Sequence, residues 1–188
     1  RHEALRTTFA VKDGEPLQLI HPELTIRINV TELNHLTGEE CENKLTVLAS
    51  EVSVASFNLS RLPLIRVCLF KLGEAEHVLI IKVHHIVADG LSIELLLEEL
   101  DTFYRAFTGG GDSRPPELAV QYADFALWQR QSMANEAPYA SQIEFWRTQL
   151  GGTLPVLELP GDRPRPALQS FSGSNVFFNI PTALAQDI

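Results

Sequence analysis

Apolar and polar residues follow two periods along this chain, and the switch between them marks its elements. Thr8 to Val11 and Pro16 to Ile20 read as two strands around Asp13-Gly14, a dipeptide that favours a tight hairpin turn. Thr25 to Val30 alternates and predicts another strand, whereas Glu39 to Val54 carries a helical pattern that its Val and Thr residues weaken. Leu64 to Leu72 is the clearest strand. Ile65, Val67 and Leu69 share one face, and Arg66, Cys68 and Phe70 share the other. Gly73 to Glu76 predicts a turn. His77 to His85 follows as a nearly continuous β-rich run, as expected of a central, buried strand.

The next segment predicts a helix. Ile93, Leu96, Leu97, Leu100, Phe103, Tyr104 and Phe107 form one apolar stripe, while Glu94, Glu98, Glu99 and Asp101 lie mostly off it. Asp89 or Ser92 is the expected N-cap, and Gly109-Gly110-Gly111 ends the helix. Arg1 to Leu5 reads as a helix end. Leu118 to Gln131 and Tyr139 to Leu150 predict two more helices. Pro155 to Pro166 reads as an extended connection, and Ser174 to Ile180 as one further strand. Trp128, Trp146, Phe125 and Phe145 sit at helical spacing and are expected in the core rather than on a binding surface.

Composition narrows the class. The chain has 188 residues, 45% hydrophobic and 21% charged, which suits a folded domain of ordinary make-up. Its formal charge of −9 argues against nucleic acid, since phosphate contacts need clustered Lys and Arg. No apolar run reaches the length of a membrane span. Cys41 and Cys68 have no metal or redox spacing, and with no secretory pattern they fit a reducing cytoplasm. The chain starts at Arg1, its sole methionine is Met133, and it ends inside a helix-like run. We therefore expect a piece of a longer polypeptide.

The chemistry concentrates at His84-His85-Ile86-Val87-Ala88-Asp89-Gly90, where the strand pattern gives way to the helix pattern. Neighbours in a strand point to opposite faces, so the two histidines should have different jobs. The unpaired N–H groups of a helix start can stabilise a developing oxyanion. Gly90 would permit a tight turn or a close substrate approach. Asp89 could cap the helix, orient an imidazole or pair with an arginine. A metal site built from His84, His85 and Asp89 lacks any accompanying H-E-x-x-H or Cys/His pattern. His77 reads as a structural histidine near the core, and His21 and His35 as solvated ones.

These seven residues resemble the H-H-x-x-x-D-G signature of the condensation domains of nonribosomal peptide synthetases, within the wider chloramphenicol acetyltransferase-like superfamily. Arg1-His-Glu-Ala-Leu-Arg-Thr-Thr-Phe9 resembles the R-H-E-x-L-R-T-x-F motif of those domains. Tyr122-Ala-Asp-Phe-Ala-Leu-Trp-Gln129 resembles their Y-x-D-Y-A-x-W-Q motif, and Leu159 to Pro166 their L-P-x-D-R-P-R-P stretch. Leu91 stands where the family often has Trp, and Arg61-Leu62 replaces a common glycine before Pro63.

The resemblance implies an α/β fold, a mixed β-sheet with flanking helices that forms the N-terminal lobe of a chloramphenicol acetyltransferase-like domain. Residues 1–188 would be a partial condensation domain, with 151–173 an extended connection toward the absent C-terminal lobe. The implied activity is amide formation between acyl groups held as thioesters on donor and acceptor peptidyl carrier domains. The carriers supply the phosphopantetheine arms, no cofactor or metal is bound directly, and an adenylation domain lies in the same cytoplasmic polypeptide. His85 is implied as catalytic, with the Gly90 N–H as a further oxyanion donor. Asp89 is expected to be architectural, paired with Arg6 or, second, with Arg1. A CoA-dependent acyltransferase, an epimerisation domain and a non-catalytic docking module for carrier proteins are the competing readings, and the isolated piece is expected to be inactive.

Overall fold

In the computed structural model the chain divides into two compact units, Arg1–Ala137 and Pro138–Ile188. The structure describes residues 1–109, 115–135, 137–158, 160–164, 166–168, 173 and 176–186.

The first unit opens with a 3-10 turn at Glu3–Arg6 that leads into strand β1 (Thr7–Lys12). β1 pairs antiparallel with β2 (Glu15–Ile20). Asp13 and Gly14 connect them with φ values of 54° and 85°, the left-handed backbone that a two-residue hairpin turn demands. A second sheet has the order β3 (Ile28–Glu32), β4 (Ile65–Lys71), β5 (His77–Val83). β3 runs parallel to β4, and the crossover between them contains helix α1 (Gly38–Val54). β4 and β5 form an antiparallel hairpin.

The main hydrophobic cluster of this unit lies on one face of the three-stranded sheet. Leu33, Cys68 and Phe70 are buried, and Cys41, Leu45, Leu48 and Val52 of α1 pack against them. Those four α1 positions recur every three or four residues, so one helical stripe reaches the sheet. Burying Leu33 and Phe70 contributes about 1.5–3 kcal/mol each. Register places Val78 opposite Phe70, Ile80 opposite Cys68 and Lys82 opposite Arg66, so all six side chains share the α1 face.

The β-rich run at 77–85 differs from its expected central position. β4 is the middle strand and β5 lies at the sheet edge among the described residues. A continuous apolar run marks a strand but does not rank it within a sheet. His77 is exposed at the start of β5 rather than part of the core.

Helix α2 (Gly90–Phe107) follows the histidine loop, and α3 (Tyr122–Met133) completes the first unit. α2 has Asp89 as its N-cap, and the chain passes through Thr108 to Gly109 at φ 113°. Gly110 and Gly111 of the expected stop lie outside the described residues. The apolar stripe of α2 is only partly covered, and Leu97, Leu100, Tyr104 and Phe107 remain exposed.

In the second unit, α4 (Ala140–Gln149) precedes a long segment whose described residues hold no helix or strand, and a short α5 (Thr182–Gln186) follows. The expected connection over 155–166 falls in that segment, with Leu159 and Arg165 outside the described residues. The expected strand at 174–180 is not formed over 176–180, and Ser174 and Asn175 lie outside the described residues. Phe125, Trp128, Phe145 and Trp146, expected in the core, are all exposed. They meet within their own helices instead, Phe125 tilted against Trp128 and Phe145 edge-on to Trp146.

Candidate active site

The loop between β5 and α2 separates its two histidines as strand geometry predicts. His84 extends the parity of Lys82 toward the α1 face, and its backbone N–H donates to the Leu64 carbonyl at 3.0 Å. Its ring stands edge-on to Phe57, with centroids 6.1 Å apart. The Ile86 N–H donates to His84 Nδ1 at 3.0 Å. An amide N–H can only donate, so Nδ1 carries no proton and the ring is neutral while this bond holds. The Val87 N–H also returns to the His84 carbonyl, closing the turn.

His85 has the opposite arrangement. Its side chain is exposed, and its Nδ1 lies 2.8 Å from the Ala88 carbonyl. A carbonyl can only accept, so Nδ1 carries the proton. In its neutral form the ring then keeps its lone pair on Nε2, the nitrogen that its own loop does not use. This is the tautomer a proton-accepting or amine-orienting imidazole needs.

Asp89 ends the loop as the cap of α2. Its Oδ1 accepts from the Ser92 N–H at 2.9 Å and from the Ser92 hydroxyl at 2.6 Å. The Ser92 hydroxyl, then the Ser92 N–H, hold its carboxyl below the usual value of 3.8, and His85 adds a smaller pull when its ring is protonated. The expected pairing of Asp89 with Arg6 or Arg1 is absent. Arg6 pairs with Glu3 at 3.0 Å and donates to the His21 carbonyl. Arg1 pairs with Glu99 at 2.9 Å and donates to the Pro116 carbonyl. Both arginines have nearer acceptors, and an exposed aspartate already holding two donors creates no demand for a third.

Gly90 begins the helix with its N–H in the first turn, where the helix itself provides no acceptor. A side chain at Gly90 would meet nothing within 4 Å, and its φ is not left-handed. The fold of this chain thus makes no demand for glycine there.

A cleft of about 260 Å³ receives the loop. His85 to Asp89 form one side, with Ser92, Leu95 and Leu96 of α2. His2, Ala4 and Leu5 come from the first turn of the chain, and Tyr122 from the start of α3. Three motifs far apart in sequence thereby meet on one cavity. Specific bonds hold them together. His2 Nε2 lies 2.7 Å from Glu99 Oε2 on α2. Gln121, the cap of α3, accepts from the Glu3 N–H and donates to the Arg1 carbonyl. Burial pushes the Glu99 carboxyl up, but bonds from His2 and Arg1 outweigh it and leave it below the usual 4.5. His21, expected in solvent, is instead partly buried and bonds the buried Thr8 hydroxyl at 2.8 Å.

His2 and Tyr122 are the cleft residues that single-site reasoning passed over, along with Glu99, which bonds His2 from α2. The motif strings contained the first two, and only the fold reveals that they face His85's cavity. Among the described residues, no group of three or more His, Cys, Asp or Glu side chains could hold a metal ion. No described helix is long and apolar enough to cross a membrane.

Comparison with known proteins agrees with this convergence. The family model of the condensation domain matches residues 1–188. Surfactin synthase subunit 1 of Bacillus subtilis (strain 168) is 42% identical over 185 residues, which cover 98% of this chain and 5% of that protein. Tyrocidine synthase 3 of Brevibacillus parabrevis is 36% identical over 188 residues, 100% of this chain and 3% of that protein. The crystal structure of the X-domain from teicoplanin biosynthesis aligns with a TM-score of 0.78 and 34% identity, over 90% of this chain and 37% of that chain. The chain thus spans a small fraction of the curated relatives it matches. With the whole chain matched and its separated motifs gathered around one cleft, this α/β chain belongs to the condensation domain family.

Proposed function

We propose that residues 1–188 are a partial condensation domain, mostly its N-terminal lobe, from a cytoplasmic nonribosomal peptide synthetase in which the domain makes amide bonds. The two substrates arrive on phosphopantetheine arms of donor and acceptor carrier domains, with an adenylation domain in the same polypeptide. The observation that carries this reading is the exposed His85, whose Nδ1 donates to the Ala88 carbonyl, so that the lone pair of the neutral ring lies on Nε2.

In the proposed step, the free amine of the acceptor aminoacyl thioester attacks the carbonyl carbon of the donor thioester. A C–N bond forms and the carbonyl oxygen becomes an oxyanion. An α-amino group has an ordinary pKa of about 7.7–8.0, so part of it is already neutral near pH 7. A strong base is therefore unnecessary. His85 Nε2 accepts a hydrogen bond from the attacking amine, orients it and takes its proton as the tetrahedral intermediate forms. The first N–H of α2, at Gly90, supports the oxyanion. The C–S bond then breaks, the proton passes to the departing thiolate, and the donor arm leaves as a free thiol. Asp89 shapes the loop by capping α2, and His84 holds its turn from the inner side.

His85→Ala in the intact synthetase tests the reading. Formation of the carrier-bound dipeptide should fall at least a hundredfold with thermal stability unchanged. Wild-type turnover by that variant would remove His85 from the mechanism. Equal turnover with a CoA thioester in place of the donor carrier would instead favour a CoA-dependent acyltransferase.

A further inference from the structure

Phe57, in the segment between α1 and β4, lies within reach of β4, β5 and the histidine loop. The Arg66 guanidinium stands 5.0 Å from its ring centroid and the Lys82 ammonium 5.5 Å. These two cations face each other across β4 and β5, where like charges ordinarily repel. The surroundings relieve that repulsion. Lys82 Nζ donates to the carbonyls of Ser53 and Ala55, and Arg66 donates to that of Ala55. Both charges thus sit at the C-terminus of α1, the negative end of its dipole. The electron-rich face of Phe57 adds a second attraction for them. The edge-on contact to His84 comes from the same ring.

We propose that Phe57 is a positioning residue for the histidine loop. The cations and the end of α1 hold its ring, the ring sets the plane of His84, and His84 Nδ1 holds the Ile86 N–H. That bond fixes the turn on which His85 stands and so keeps the His85 Nδ1–Ala88 bond that leaves Nε2 free. Phe57 touches no substrate in this arrangement. The inference rests on the reading of His85 as the amine-orienting group.

The test compares Phe57→Leu, Phe57→Tyr and His85→Ala in the intact synthetase, with two readouts. One is the rate of dipeptidyl-carrier formation, split into kcat and the apparent KM for the acceptor carrier. The other is amide hydrogen exchange of the peptide spanning residues 84–88. Phe57→Leu should lower kcat about tenfold or more with KM unchanged, and speed exchange at Ile86 and Val87. Phe57→Tyr keeps the ring and should recover most of both. If Phe57→Leu does not fold, Phe57→Met takes its place. Wild-type kcat in the ring-less variant, or a lower kcat without faster exchange at 86–87, overturns the proposal. If His85→Ala retains full activity, the reading of His85 falls instead, and the exchange data alone then decide whether Phe57 holds the turn.

Discussion

His85 gives its Nδ1 to its own loop and lines the cleft, whereas the Nδ1 of His84 accepts from the Ile86 amide. Adjacent residues with the same side chain thereby acquire different chemistry from hydrogen bonds alone. The neighbours Asp89 and Gly90 separate in a similar way. Asp89 serves the fold through its two bonds from Ser92. Asp89→Ala should lower the melting temperature modestly, and Asp89→Ser, which still caps, should restore most of it. Gly90→Ala should fold at least as well as the parent, since the added Cβ meets nothing and alanine favours a helix. If the acceptor or its oxyanion approaches that position, Gly90→Ala loses turnover without losing stability. Thermal denaturation beside the dipeptide assay distinguishes the two residues. An Asp89→Ala protein that unfolds outright would show that Asp89 holds a stronger partner than Ser92.

At the level of elements, the first turn of the chain is tied to α2 through Glu99 and to α3 through Gln121. Glu99 is the centre of that tie, because it accepts from both Arg1 and His2. Its carboxyl and that of Asp89 both titrate below their ordinary values of 4.5 and 3.8. Each therefore contributes stability that is complete above its ordinary value and is lost as pH falls through the lowered, folded one. Denaturation between about pH 6 and pH 3 should show stability falling at the acid end, and Glu99→Gln should flatten part of that fall. A double-mutant cycle of His2→Ala with Glu99→Gln should give a coupling of about 1 kcal/mol at pH 6. Zero coupling would mean that the contact does not hold the cleft wall. Most of these elements were legible in the sequence. The hairpin turn, α1, β4 and α2 follow from period and residue type, and the structure chose Asp89 over Ser92 as the cap of α2. The rank of β5 did not, because pairing partners lie elsewhere in the chain. The Asp89–arginine pairing did not either, since proximity in a motif says nothing of which carboxylate an arginine reaches first.

For the whole chain, the family motifs place it among condensation domains, but the exposed surfaces qualify what these 188 residues can do alone. Phe107, Trp128 and Trp146 are more than half exposed, and so is much of the outer face of β3. Apolar faces of that extent usually meet another surface. We expect the isolated chain to form no dipeptidyl carrier while the intact synthetase does, and measurable product from the isolated chain would overturn this. The sequence by itself determined the strand and helix periods, the histidine pair and the three motifs, because each is a local pattern of side chains. It could not say that His2 and Tyr122 stand on the cleft of His85, or that Phe57 braces His84. Those relations join residues far apart in the chain. The tertiary structure decided them, since only folding brings distant side chains within reach of one hydrogen bond or one ring.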